Sequence, residues 1–164
     1  MMTRRQFLIA GAAAALWPAG CILPVRKPEE IFVNDIHSGL NRTRVARQVP
    51  VASLEMLQSI IRTAKQEGKS VSIAGGRHAM GGQQFGTDTV LLDMTSMNRI
   101  LRFDPEKGEV EAEAGVMWPA LTDFLLEVQA GREEQWGIVQ KQTGADRLTL
   151  GGALAANIHG RGLR

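Results

Sequence analysis

The sequence predicts a mixed α+β domain, and three observations carry that expectation. Short β-branched runs recur between residues 44 and 114, two stretches show helical apolar spacing, and glycine is concentrated in two short zones. Glycine occupies 18 of 164 positions, about 11% against an average of about 7%. Ten of these fall in residues 75–86 and 144–162, a local excess that marks ligand loops and not low complexity. A chain of this length holds one domain with a substantial core.

Residues 1–20 read as an export signal. Thr3-Arg4-Arg5-Gln6-Phe7-Leu8 resembles a twin-arginine motif, and the apolar run Ile9–Trp17 follows it. That run is shorter than the ~20 residues a membrane span needs. The twin-arginine route typically carries proteins that fold around a cofactor before export. Pro18-Ala19-Gly20-Cys21 approximates a lipobox, with proline where leucine is usual. Two readings follow: a lipid anchor at Cys21, the only membrane link expected, or a soluble periplasmic protein with an incidental cysteine. Residues 21–41, with Pro24, Lys27, Pro28, Glu29 and Glu30, read as a tether with His37 solvated in it. Without Arg4 and Arg5 the 19 basic residues become 17, equal to the 17 acidic ones. No basic stripe remains to argue for nucleic acid. One cysteine excludes an internal disulfide or a Cys-based metal site, and three scattered histidines make no zinc motif.

Residues 42–164 carry the domain. Arg44–Val51 alternates loosely and predicts a strand. Ser53 is an N-cap, Glu55 suits the first turn, and Leu54, Leu57, Ile61 and Ala64 form the inward stripe of a helix that Gly68 stops. Strands follow at Ser70–Ala74, at the buried-type run Thr89–Met94, and at Arg99–Phe103. Asp104–Gly108 (DPEKG) is a turn. Glu109–Ala114 (EVEAEA) alternates strictly, with one face wet and one packed. A second helix spans Trp118–Gln129, with Leu121, Phe124, Leu125 and Val128 on one face. Strands dominate, and the order is not a regular parallel βαβ series.

The chemistry sits in the glycine zones. In Val71–Gln84 (VSIAGGRHAMGGQQ) a strand runs into two glycine pairs that flank His78. Glycine lets backbone amides approach a ligand, and clustered amides make an anion site. Gly68-Lys69-Ser70 mimics the end of a Walker loop, but Thr63 stands where that loop needs glycine, and a helix precedes the tripeptide where a strand is required. No Gly-x-Gly-x-x-Gly fingerprint occurs at a βα turn. The second zone, Thr143–Gly162 (TGADRLTLGGALAANIHGRG), places Gly151-Gly152 before small residues that permit close packing on a ligand or helix.

Together, GGRHAMGGQQF, VLLDMTSMNRI, EVEAEAGVMWPAL and TGADRLTLGGALAANIHGRG resemble, in order, four segments of the vanillyl-alcohol oxidase superfamily, or PCMH-type FAD-binding domain. The resemblance covers roughly residues 40–164. It implies a flavin domain of two small α+β subdomains, incomplete at its C-terminus, with FAD as cofactor and no metal. It places the pyrophosphate loop on Ser72, Ile73, Ala74, Gly75, Gly76, Arg77, His78, Ala79, Met80, Gly81 and Gly82, with Gln83 as a further contact. The second segment would supply Gly144, Thr149, Leu150, Gly151, Gly152, Ala155, Ala156, Asn157, Ile158 and His159. His78 matches the position that bonds covalently to the flavin 8α-methyl group in many members. Ala79 departs from the frequent serine. Catalytic residues normally lie in a substrate domain beyond residue 164, so none is assigned.

The resemblance therefore implies an exported FAD-dependent oxidase or dehydrogenase. It would move hydride from a small alcohol, sugar or amine to flavin N5 and pass electrons to oxygen or a periplasmic carrier. The alternative is a flavin-binding fragment without catalysis. A third relative type, a cell-wall reductase that uses NADPH, is disfavoured by the export leader.

Overall fold

The computed structural model describes residues 29–141 and 144–160. The export signal and Cys21 lie outside the described residues. Strands β1 (Ile31–Val33) and β2 (Thr43–Val45) form an antiparallel pair. Strands β3 (Arg47–Pro50), β4 (Val71–Ala74) and β5 (Val90–Asp93) form a three-stranded parallel sheet in the order β3-β5-β4. Strands β6 (Ile100–Asp104) and β7 (Glu109–Ala112) make an antiparallel hairpin. Helices α1 (Leu54–Gln66), α2 (Trp118–Val128) and α3 (Leu150–Ala155) complete the described fold. The class is mixed α and β, and its opening β3-α1-β4 unit is a parallel crossover.

Central strand β5 explains the layering. Val90, Leu91 and Leu92 are all fully buried, as a parallel strand covered on both faces requires. Leu91 packs with Val33, Val45, Ala74 and Phe85 on one face. On the other face Val90 and Leu92 pack with Val51 and Ala64, flanked by Leu57 and Ile60 of α1. Period-two alternation thus puts the β1-β2 pair on one side of the sheet and α1 on the other.

Helix α1 is bounded by its own chemistry. The Ser53 hydroxyl accepts from the Met56 amide, and Gly68 at φ +65° takes the left-handed position after the helix. Gly68 N donates to Lys65 O and Lys69 N to Ala64 O, a Schellman stop. The inward stripe differs from the predicted one by a residue. Ile60 packs on the core, whereas Leu54 and Ile61 are exposed. The 3.6-residue period carries Ile60, four before Ala64, beneath the same face.

Two further expectations are corrected. The single strand expected at 44–51 breaks at Ala46 into β2 and β3. Arg44 pairs with Phe32 of β1, while Arg47 pairs with Val90. Ala46 N, bonded to Thr89 O, is where the chain changes partners. Residues 31–41 are no tether: Val33 is in the core, and Asp35 is only 4% exposed. Asp35 accepts from the amides of His37 and Ser38 and from the side chains of Ser38 and Asn41. Burial opposes its charge, but the bonds from Asn41 and Ser38 outweigh that and hold the carboxyl well below the usual range.

The hairpin turn forms as predicted. The Asp104 carboxylate accepts from Glu106 N and Lys107 N, and Gly108 has φ +67°. A side chain at Gly108 would strike Trp136, whose indole N–H donates to Pro105 O at 2.7 Å. Buried Gln129 fixes that tryptophan by accepting from its amide and donating to its carbonyl. The EVEAEA alternation fails at Glu113, which is buried and not wet. Arg99 encloses it with three N–H donors at 2.6–3.0 Å.

Those Arg99 bonds hold the Glu113 carboxyl below the ordinary glutamate range. A depressed folded value stabilises the fold above the unfolded pKa, about 4.3, and that contribution is lost as pH falls through the folded value. Glu113→Gln should therefore lower the melting temperature at neutral pH, with the gap to the parent closing in acid. Thermal melts over a pH series measure this.

Candidate functional site

β4 ends at Ala74, and the chain leaves the carboxyl end of the sheet as the loop 75–82. This is the sheet end at which open α/β sheets bind ligands. The loop and the segment 144–158 line an open cavity of about 820 Å³, within the roughly 300–1,000 Å³ of ligand sites. The cavity is lined by Ile73, Ala74, Gly75, Gly76, Arg77, His78, Ala79, Met80 and Gln83 from the first glycine segment. From the second come Gly144, Thr149, Gly152, Ala155, Ala156 and Ile158. The two sequence zones, more than 60 residues apart, thus share one cavity.

Glycine is required where they touch. A Cβ at Gly75 would lie 2.1 Å from the Thr149 hydroxyl oxygen, and one at Gly76 would lie 2.5 Å from Arg147 O. The second segment is held from behind by residues 114–118. Met117 bridges Thr149, Leu150 N donates to Val116 O, and Gly151 N donates to Ala114 O.

These bonds decide which amides of the α3 opening are left unpaired. The Thr149 hydroxyl caps α3 by accepting from Gly152 N. The amides of Leu150, Gly151, Gly152 and Ala153 are therefore all paired within the protein. In the first loop, by contrast, the amides of Gly76–Gly81 donate to no acceptor among the described residues. Arg77, at φ +56°, is in the left-handed region, and its carbonyl accepts from Ile36 N. Of the amides expected to hold the diphosphate, those of residues 150–153 are thus occupied within the protein, while those of Gly76–Gly81 and Gly144 have no acceptor among the described residues. Thr149 keeps only its hydroxyl proton to donate.

Other predicted residues do not line the cavity. Ser72 bonds Thr89 through its hydroxyl. Gly82, at φ +68°, packs over Asn41, and Gly151 packs against Ala114. Gly81, Leu150 and Asn157, the last at φ +49°, also lie outside the lining. His159 is exposed, with Nδ1 beside the Gly160 carbonyl. Four lining residues were missed by sequence reasoning: His37, Gln84, Ala145 and Leu148. Gln84 adjoins the predicted loop and was findable by extending it one residue. His37 gave no local signal.

Two buried polar atoms of the lining lack a hydrogen-bond partner, Nε2 of His78 and Oε1 of Gln84. Unpaired buried groups in a cavity are what a polar ligand would satisfy. His78 Nδ1 lies 2.7 Å from Nε2 of His37. Burial foremost, then the charge of His37, push the His78 pKa down, partly offset by the Arg147 carbonyl. A neutral imidazole, free loop amides and a concave wall suit a dinucleotide with a diphosphate and a ring system.

Comparison with known proteins agrees with this chemistry. Residues 46–164 match the family described as FAD binding domain. The chain is 29% identical over 113 residues to L-gulonolactone oxidase of Bos taurus, covering 68% of this chain and 24% of that protein. It is 31% identical over 115 residues to L-gulono-1,4-lactone dehydrogenase of Mycobacterium tuberculosis, covering 70% and 25%. The fold is similar to that of cholesterol oxidase from B. sterolicum, with a TM-score of 0.59 at 19% identity over 84% of this chain and 26% of that one. The chain spans about a quarter of the length of the curated relatives it matches.

The contact at Gly75 yields a prediction. Gly75→Ala should drive Thr149 away from the loop, destabilise the fold by about 1–3 kcal/mol, and lower bound flavin. Thermal melts and the flavin-to-protein absorbance ratio of the full-length protein measure both effects.

Proposed function

The chain belongs to the FAD-binding domain family, and from that premise we propose that it is the FAD-binding portion of an exported oxidoreductase acting on a hydroxyl carbon of a sugar-like substrate. The observation that carries this reading is the cavity where both glycine segments meet under the unpaired amides of Gly76–Gly81. The two relatives named for a gulonolactone support a sugar-type alcohol over an amine among the expected substrates. When bound, the flavin supplies the redox chemistry, accepting hydride at N5 and passing electrons to oxygen or a periplasmic carrier.

In this reading the amides of Gly76–Gly81 hold the diphosphate, and the Thr149 hydroxyl adds a donor from the opposite wall. Gln83 and Gln84 offer amide groups to the polar parts of the cofactor. His78 presents a neutral imidazole. As the residue that would bond the 8α-methyl carbon, it would form a C–N bond in place of one methyl C–H bond, whose electron pair would reduce the flavin, with the methyl proton and the imidazole N–H proton taken up by the reduced ring. Residues 1–20 direct export through Arg4 and Arg5, and Cys21 is the candidate lipid-attachment site.

Acid precipitation of the full-length holoprotein should leave yellow flavin in the pellet, and His78→Ala should release it to the supernatant. Absence of flavin from the intact full-length protein would overturn the reading. Anaerobic mixing with L-gulono-1,4-lactone should bleach the oxidised flavin band, whereas a primary amine should not.

Export is tested separately. Replacing Arg4 and Arg5 together by lysine should trap the protein in the cytoplasm, as cell fractionation would show. Unchanged export in that variant would exclude the twin-arginine route.

A further inference from the structure

His37 precedes residue 46, where the family match begins, yet its ring lies against His78. The ring centroids are 4.6 Å apart at an interplanar angle of 63°, and Nε2 of His37 is 2.7 Å from Nδ1 of His78. Such a bond requires one N–H and one lone pair, so it breaks if both rings are protonated. The segment bearing His37 is anchored on both sides of the contact. Ile36 N donates to Arg77 O, and the Asn41 side chain donates to Met80 O at 2.6 Å. Asp35 braces the turn between them through the amides of His37 and Ser38.

We propose that His37 is a positioning residue for His78: its imidazole holds Nδ1 of His78, fixes that ring in the cavity wall, and sets the pH range in which His78 acts on the flavin. The action on flavin rests on the functional reading above, whereas the pairing rests on the geometry alone.

The direction of the effect follows from exposure. His37 is exposed and His78 half-buried; Nε2 of His78 has no partner and is the nitrogen left to meet a ligand, so in the neutral pair Nδ1 carries the hydrogen and donates to Nε2 of His37. A second proton, on Nε2, is disfavoured by burial first and then by the charge of His37. The other charged groups on the surrounding segments are Asp35, Arg77, Asp146 and Arg147. Asp35 is occupied by its own turn, and Asp146 pairs with Lys141. His37 is therefore the nearby group whose removal changes the titration of His78.

The test uses the full-length protein with ¹⁵N-labelled histidine, first without flavin. Parent His78 should titrate below the ordinary histidine range as the Nδ1–H tautomer. His37→Ala should raise its midpoint by about one pH unit and abolish the hydrogen-bonded Nδ1 shift, at an unchanged melting temperature. His37→Gln, whose amide oxygen can accept from Nδ1–H, should restore that shift. An unaltered midpoint and tautomer in His37→Ala would overturn the proposal. In the holoprotein, the acid limb of the pH profile for acid-stable flavin, expressed per total bound flavin, should move upward in His37→Ala. If the parent itself holds no acid-stable flavin, the covalent reading of His78 fails, and the NMR titration still decides the pair.

Discussion

The double burial of β5 is the constraint on which the rest of the described fold depends. A strand whose residues Val90, Leu91 and Leu92 have no exposed surface must be covered on both faces. Here the covers are α1 on one side and the β1-β2 pair on the other. That sandwich fixes β4 beside β5 with Ala74 opposite Asp93, so the first glycine loop always departs from the same point at the carboxyl edge. The N-terminal strands are therefore part of the architecture that aims the loop. Without Val33 and Val45 over Leu91, one face of the sheet would lie open directly beneath the site.

Much of this was legible because it is local. The apolar run of β5, the Ser53 cap, the Gly68 stop and the Asp104–Gly108 turn each carry their instructions within a few residues. The glycine pairs were legible for the same reason, since a backbone that must approach a ligand or a neighbouring chain excludes a Cβ. What escaped was non-local. The prolines and charges at 24–30 look like a linker, and the short β1 that follows gains its stability only from pairing with β2 and packing on Leu91. Glu113 reads as a wet position of an alternating strand until Arg99, brought alongside by the hairpin, encloses it. His37 and His78 are separated by 41 positions, and no period or spacing joins them.

The second glycine segment shows how one sequence signal can serve a role other than the one first assigned. Gly151 and Gly152 open a helix, and helix openings offer free amides to anions. In this fold the amides at that opening are paired to Val116, Ala114 and Thr149. These glycines instead permit contact: Gly151 against Ala114, and Thr149 against Gly75. The α3 end of the second segment is thus a wall pressed onto the first loop, whose amides Gly76–Gly81 are free donors. One segment supplies close contact and the other free backbone donors.

The electrostatics around His78 complete that division. A histidine beside a carboxylate is stabilised as the cation, which removes the lone pair that a ligand-bonding imidazole needs. Asp35 is the carboxylate nearest in sequence to His37, but its oxygens are occupied by Ser38, Asn41 and the His37 amide. It orders the turn without offering an acceptor to either ring. The group placed against His78 is a second imidazole, which can complete a hydrogen bond in the neutral state and disfavours charge on its partner once it carries a proton itself. Burial acts in the same direction. The local fold therefore favours a neutral His78 by two independent means. Both depend on the N-terminal segment staying docked through Ile36 and Asn41, which makes the first described residues of the chain as much a part of the site as the glycines that reveal it.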